Sequence, residues 1–97
     1  MYDIVVTDDE LTRLEKRFGP DVRRMGAWNS DGVFGYSSVP ILAVEKAAKT
    51  LGDRNLDRAL LRLESAAEPT KGFIELLETY GPGLVEKIVT AYRTICS

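Results

Sequence analysis

The sequence contains no histidine among its 97 residues. Histidine is the commonest general base and the commonest metal ligand, and it activates the nucleophile in Ser-His and Cys-His pairs. Its absence removes these classes of site. No glycine-rich phosphate loop takes their place, because Gly81-x-Gly83 lacks both the following pattern and a preceding strand. We therefore expect no enzymatic activity, no catalytic or metal-binding residues and no cofactor.

Other absences limit where in the cell the protein is expected to act. Cys96 is the only cysteine, which excludes an internal disulfide. The chain has no apolar run long enough to cross a bilayer and no basic-then-apolar leader. The net charge is only −2, which disfavours a generic nucleic-acid coat. These features predict a cytoplasmic protein that does not associate with a membrane.

Length and composition indicate one ordinary globular domain. Hydrophobic residues make up 44% of the chain and charged residues 29%, a balance that is typical of folded proteins. A chain of this size buries roughly two-thirds of its unfolded surface, which provides a core but little room for a deep catalytic cleft. We therefore expect a single domain over residues 1–97.

A twelve-residue pattern occurs near both ends of the chain. Its copies are Leu11-x-x-Leu14-x-x-x-Phe18-Gly19-Pro20-x-Val22 and Phe73-x-x-Leu76-x-x-x-Tyr80-Gly81-Pro82-x-Leu84. Each copy predicts an amphipathic helix, a left-handed glycine at its end and a proline in the first turn of the next helix. Basic residues surround the first copy and acidic residues the second. We therefore interpret the repeat as two helix corners rather than two equivalent binding sites.

The N-terminal segment predicts a strand followed by a helix. Residues 2–6 are β-prone, and one face of this strand would carry Tyr2, Ile4 and Val6. Thr7 and Glu10 have the spacing of a capping box, which predicts a helix over residues 8–18. Its inward residues would be Leu11, Leu14 and Phe18.

The next segment is the least helical part of the chain. A short helical turn is expected within residues 21–27. The sequence Asn-Ser-Asp-Gly at 29–32 is strong turn chemistry with apolar residues on both sides. It predicts a small hairpin near residues 28–36, and an ordered loop is the alternative.

Two amphipathic helices are predicted after residue 38. Ser38 is expected to cap the first, with Pro40 in its first turn and Gly52 at its end. Its apolar stripe is Ile41, Val44, Ala47, Ala48 and Leu51. Asp53 or Asn55 is expected to cap the second, whose stripe is Leu56, Ala59, Leu60, Leu63 and Ala66.

Two further helices complete the chain. Pro69 breaks the chain, and Thr70 is expected to cap a helix that carries Phe73, Ile74, Leu76, Leu77 and Tyr80. The last helix follows Gly81-Pro82-Gly83 and carries Leu84, Val85, Ile88, Val89, Tyr92 and Ile95. Short connections favour antiparallel neighbours. The predicted fold class is mainly α, with about five helices in a compact antiparallel bundle, a short N-terminal strand and a small hairpin or loop near residues 28–36.

Five arginines form the candidate basic face. Arg54, Arg58 and Arg62 recur every four residues along one predicted helix, whereas Arg23 and Arg24 belong to the basic segment 13–24. The row of three either contacts phosphate or an acidic partner, or it is the solvated face of an amphipathic helix. In the second interpretation, Asp57 is able to pair with Arg54.

The sequence around this row has a recognisable form: Ala47-Ala48-x-x-Leu51-Gly52-Asp53-Arg54-Asn55-Leu56-x-x-Ala59-Leu60. It resembles the helix-turn-helix of bacterial regulators, in which a small-residue helix ends at Leu-Gly and a basic recognition helix follows. The resemblance implies DNA binding through the arginine row. The turn departs from the family pattern, because only three residues separate Gly52 from Leu56. We therefore expect an altered crossing angle between the two helices.

Three aromatic residues cluster in the hairpin segment: Trp28, Phe34 and Tyr36. Aromatic residues on an ordered loop are common interface anchors. The single tryptophan of a small domain is also often the centre of its core, so that both interpretations stay open. If the chain has a protein-binding site, we expect it here.

The leading hypothesis is a non-enzymatic protein-binding module that acts stoichiometrically. Small chains without catalytic motifs are often inhibitors or adaptors from phages or mobile elements, and their targets include defence nuclease complexes. A helix-turn-helix-like DNA-binding regulator is the first alternative. A homodimeric structural protein is the second, with Val85, Val89 or Tyr92 against a copy of the chain. A protein is thus the first candidate partner, nucleic acid the second and a second copy the third.

Overall fold

Helices make up most of the structure, a computed structural model that describes residues 3–30 and 35–96. The elements in chain order are β1 Asp3–Thr7, α1 Asp8–Phe18, a 3₁₀ helix Pro20–Arg24, β2 Ala27–Ser30, β3 Gly35–Pro40, α2 Ile41–Leu51, α3 Arg54–Glu64, α4 Pro69–Tyr80 and α5 Pro82–Cys96. The mainly α class with a small β component is confirmed. The antiparallel bundle predicted for the later helices stays a prediction.

The three strands form one antiparallel sheet in the order β1-β3-β2. In the register of the sheet, Ile4 lies opposite Val39, and Val6 opposite Ser37. Because cross-strand partners share a face, these four buried residues define the side of the sheet that faces the core. β2 and β3 confirm the predicted hairpin. Its connection, with Asp31 and Gly32 of the predicted turn, lies outside the described residues, as does Tyr2.

The predicted capping box joins β1 to α1. The backbone N–H of Glu10 donates to Thr7 Oγ1 over 3.3 Å, and the N–H of Thr7 donates to Glu10 Oε1 over 3.0 Å. Three acidic residues in the first turn of α1 also complement the positive end of the helix dipole. The helix spans Asp8–Phe18, as predicted.

One apolar cluster forms the core of the described chain. Its residues come from the strands β1 and β3 and from all five α-helices. Phe73 is the largest fully buried side chain. The Cα radius of gyration is 12.4 Å, close to the value of about 12.5 Å expected for a folded chain of this length. Two predicted inward residues are exceptions: Leu51 is 39% exposed, and Ala66 is exposed beyond the end of α3. Helical periodicity does not say where along a helix its neighbours end.

Two predicted helix caps are wrong. Ser38 belongs to β3, and α2 begins after Pro40 without a side-chain cap. Thr70 lies inside the first turn of α4, which begins at Pro69. Its Oγ1 donates to the carbonyl oxygen of Val5 over 2.6 Å and so ties α4 to the edge strand β1. Each hydroxyl had a tertiary alternative to the cap. Asp53 is confirmed as the cap of α3.

The repeated pattern produces the same corner twice. Gly19 has φ 93° and ψ 178°, and Gly81 has φ 73° and ψ −160°. Each glycine N–H donates to the carbonyl four residues earlier, over 2.8 Å and 2.7 Å respectively. The predicted left-handed conformation is therefore right in φ but wrong in ψ. The reason is the following proline, whose Cδ excludes helical ψ values at the preceding residue.

The geometry of these corners predicts that alanine substitutions at different glycines change the free energy of unfolding by different amounts. Gly19→Ala and Gly81→Ala should each lower the free energy of unfolding by about 1–3 kcal/mol, because a Cβ strains a backbone at positive φ and extended ψ. Gly83→Ala is the matched control: Gly83 lies in the first turn of α5, outside the positive-φ glycines, with open space around its Cα. Urea unfolding followed by circular dichroism measures all three. Equal losses at the three positions would contradict the corner interpretation.

The Thr70 hydroxyl provides a second prediction. Thr70→Val should lower the free energy of unfolding by about 1 kcal/mol, because it removes the donor to Val5 while keeping the shape of the side chain. Thr70→Ser keeps the hydroxyl and should lose less. The same urea titration measures both variants. A Val variant as stable as the wild type would show that this hydrogen bond does not hold α4 against β1.

Candidate protein-binding site

Trp28 lies on the edge strand β2 and is 53% exposed. Its cross-strand partner is the buried Ser37, so the indole is on the core-facing side of the sheet but beyond the helical cover. The largest fully buried side chain is instead Phe73. The interpretation of Trp28 as the centre of the core is therefore wrong.

The indole of Trp28 lies directly over Gly35. A Cβ at position 35 would collide with Cζ2 and Cη2 of the indole. The indole can therefore lie here only if residue 35 is glycine. The contact between the Trp28 ring and the Gly35 backbone is diagonal across the hairpin, because Gly35 lies opposite Ser30 and not opposite Trp28. Trp28 is therefore half exposed, with one side of its ring packed against the backbone of Gly35.

The other two aromatic residues do not join Trp28 in one cluster. Tyr36 lies opposite Thr7 and Asn29, on the other face of the sheet, and is half-buried. Phe34 lies outside the described residues. The hairpin register decides this separation, because a residue and its neighbour along a strand point to opposite faces. The roles of Phe34 and Tyr36 in binding stay predictions.

The strand β2 lies at the edge of the sheet, with no further strand beyond it in the described part of the chain. All four of its residues are exposed and uncharged, and none is a proline. Asn29 Nδ2 donates to the carbonyl oxygen of Ala27 over 3.2 Å and to Ser38 Oγ over 3.3 Å. Proteins commonly protect an edge strand with charges, prolines or a covering element. β1 has such cover from Thr70 of α4, whereas β3 is the one strand that pairs with β2 in the described part of the chain.

Ser37 is the one buried polar side chain of the described chain without a hydrogen-bond partner there. It is 1% exposed, and it lies between Val6 and Trp28 in the sheet register. A buried hydroxyl without a partner typically costs about 1–3 kcal/mol. The hydroxyl that carries this cost lies on β3, the strand next to the edge strand β2.

The five arginines of the candidate basic face divide into two groups. Arg54, Arg58 and Arg62 are exposed on α3, which packs against α2 and α4. None of them forms an ion pair in the ranges that the structure describes, and the expected pairing of Arg54 with Asp57 is not formed. Arg23 and Arg24 lie on the 3₁₀ helix, which packs against α1 and α5.

Arg23 is engaged within its own chain. Its Nη1 lies 3.0 Å from Asp8 Oδ1, its Nε lies 2.6 Å from Glu15 Oε2, and its Nη2 donates to Thr12 Oγ1 over 3.2 Å. The hydrogen bonds to Asp8 and then to Glu15 raise the pKa of the guanidinium above its ordinary value. Arg23 therefore joins the 3₁₀ helix to α1. Arg24 Nη1 lies 3.6 Å from Asp21 Oδ1.

The surface proposed for a homodimer is mostly internal. Val85 and Val89 are buried in the core of the same chain, and Tyr92 is half-buried. A hydrogen bond with Cys96, together with burial, raises the pKa of the Tyr92 phenol. These residues leave little apolar area for a second copy.

A groove with a volume of about 760 Å³ lies beside the start of α4. Pro69 and Ile74 line it, together with the carboxylates of Glu10, Glu68, Glu75 and Glu78. Two of these are already engaged, since Glu10 belongs to the capping box and Glu78 Oε2 lies 3.7 Å from Arg17 Nη1. The groove is an open surface feature rather than an enclosed cleft.

Within residues 3–30 and 35–96, no three metal-ligating side chains converge on one point, and no described helix has the length and apolarity to cross a bilayer. Comparisons of the chain with family models, curated proteins and solved structures found no match in any of the three.

The exposure of Trp28 leads to a testable difference in stability. Trp28→Ala should cost much less than Phe73→Ala, for which complete burial predicts a loss of about 3–5 kcal/mol. Both variants remove an aromatic ring, so Phe73→Ala is the internal standard. Urea unfolding measures the two free energies. Equal losses would mean that Trp28 supports the core after all.

Proposed function

We propose that the protein is a non-enzymatic binding module that attaches stoichiometrically to another protein through β2 and Trp28. The observation that carries the proposal is the combination at the hairpin: a half-exposed indole, packed over Gly35, on an edge strand of the sheet. Fixed aromatic side chains are frequent centres of binding energy in protein interfaces. The partner would contribute an extended segment that pairs with β2.

The geometry supports strand addition over other modes of binding. An edge strand offers backbone donors and acceptors to an extended segment, while side chains beside it supply specificity. Trp28 would be the specificity element, because it lies on the same strand that pairs. The packing of the indole against Gly35 would lower the side-chain conformational entropy lost on binding, since a restricted side chain has less freedom to give up.

The wider role proposed for the module is that of an inhibitor or adaptor of a larger assembly in the cytoplasm. Small size, balanced charge and a compact fold suit a protein that acts by occupying a surface. A phage or mobile-element inhibitor of a defence nuclease complex is a specific form of this proposal, and it is supported by how common such small chains are in those genomes.

DNA binding is the second candidate function. The three arginines on α3 without ion pairs favour it, since arginine rows neutralise phosphates. The connection between α2 and α3 is as short as the sequence indicates, with only Gly52 and Asp53 between the helices. Arg23 is already committed to Asp8 and Glu15, which reduces the positive charge available to a duplex.

Quantitative pull-downs test the proposed function. Wild-type protein on beads should retain a partner from a lysate of the cells in which it acts. Trp28→Ala should weaken the complex by roughly thirtyfold, the equivalent of a loss of about 2 kcal/mol at an interface centre. Leu42→Ala is the control, because Leu42 is also an exposed apolar residue but lies on α2.

The outcomes separate the alternatives. Equal retention by wild type and Trp28→Ala would contradict the site, and no retained protein would contradict the function. Tyr36→Ala shows whether the opposite face of the sheet takes part, since Tyr36 does not share a face with Trp28. Circular dichroism of each variant confirms that helicity is unchanged.

A further inference from the structure

The outward side of α3 combines positive charge with one large apolar side chain. Leu61 is 67% exposed, more than any other large hydrophobic residue in the described chain. It lies one helical turn from Arg58 and next to Arg62, on the side opposite the buried residues Leu56, Leu60 and Leu63. We call this surface, formed by Arg54, Arg58, Leu61 and Arg62, the α3 outer face.

We propose that the α3 outer face binds an acidic amphipathic helix of a partner protein. Three guanidinium groups without ion pairs in the described chain attract carboxylates, while Leu61 gains from leaving water against an apolar side chain. This surface belongs to α3 and does not depend on the β2 and Trp28 site.

The spacing of the arginines fits a helical partner. Residues four apart on a helix rise by about 6 Å, so the row from Arg54 to Arg62 extends for about 12 Å. A partner helix with acidic residues at i, i+4 and i+8 repeats the same distance. Each guanidinium can then form two parallel hydrogen bonds with a carboxylate, a geometry that lysine cannot match.

Leu61 gives the partner its apolar requirement. The side chain borders a shallow groove of about 220 Å³ between α2 and α3, which Leu60 also lines together with Glu45, Lys49 and Asp57. An apolar residue on the partner helix, on the same side as its carboxylates, would rest against this groove. Helices bind in grooves through such regularly spaced apolar anchors.

Two other occupants fit less well. Duplex DNA would gain little from covering the exposed side chain of Leu61. A second copy of the chain lacks the complementary element, because no three acidic residues in its sequence are spaced i, i+4 and i+8. The combination of charge and exposed leucine therefore favours a different protein.

Fluorescence anisotropy with synthetic probes tests the proposal. The main probe is a labelled helical peptide with glutamates at i, i+4 and i+8 and a leucine on the same side. A second peptide replaces that leucine by alanine, and a third probe is a short DNA duplex. Binding is measured at low salt and at an ionic strength of about 0.15 M, where weak surface attraction is screened.

Matched variants distinguish the surface from net charge. Arg54→Ala/Arg58→Ala should weaken binding of the leucine peptide about tenfold. The control Arg13→Ala/Lys16→Ala removes the same charge from α1 and should have a much smaller effect. Leu61→Ala should weaken the leucine peptide about tenfold and leave the alanine peptide nearly unchanged. Leu42→Ala controls for the loss of an exposed leucine, and Trp28→Ala should leave binding unchanged.

Several results would overturn the proposal. No binding of the leucine peptide at low salt would do so, as would equal losses from the two charge variants. Tighter binding of the duplex, lost with the arginines but insensitive to Leu61→Ala, would assign the face to nucleic acid. A dimer in light scattering that disappears in Leu61→Ala would assign it to a second copy. If Leu61→Ala does not fold, Leu61→Gln serves in its place.

Discussion

The antiparallel pairing of β1 with β3 is the constraint on which the rest of the structure depends. α1 follows β1 and α2 follows β3 without an intervening residue, so the register of two strands also sets where two helices begin. A shift of one residue would turn Ile4 and Val6 away from the core. The capping box of Thr7 and Glu10 protects the first junction against such a shift, because it starts α1 at one defined residue.

Local chemistry explains which parts of this fold could be predicted from the sequence. The bounds of α1 and the two Gly-Pro corners depend on residues within one helical turn, and they were predicted correctly except for ψ at Gly19 and Gly81. Ser38 and Thr70 were misassigned because a hydroxyl group can bond either to a nearby helix end or to a group on another element. Only the packing of α4 against β1 shows that Thr70 bonds to Val5 instead of capping its own helix.

The candidate surfaces were predictable to a smaller extent. The sequence identified Trp28 and the arginine row, but it left the exposure of Trp28 open and treated Tyr36 as its neighbour. A hairpin register that differs by one residue would have put the two rings on one face, and no local pattern fixes that register. Leu61 was absent from the predicted apolar stripe of α3, yet its degree of exposure depends on how α2 and α4 pack around that helix.

The position of Trp28 also gives the molecule a built-in optical probe. The chain has a single tryptophan, so all indole emission comes from one ring at the edge of the sheet. Water reaches that ring in the free protein, and a partner side chain that packs on the ring would exclude this water. The wavelength of tryptophan emission would therefore report binding of a partner over this ring without an added label. Changes in packing around Phe73 in the core would alter that wavelength little.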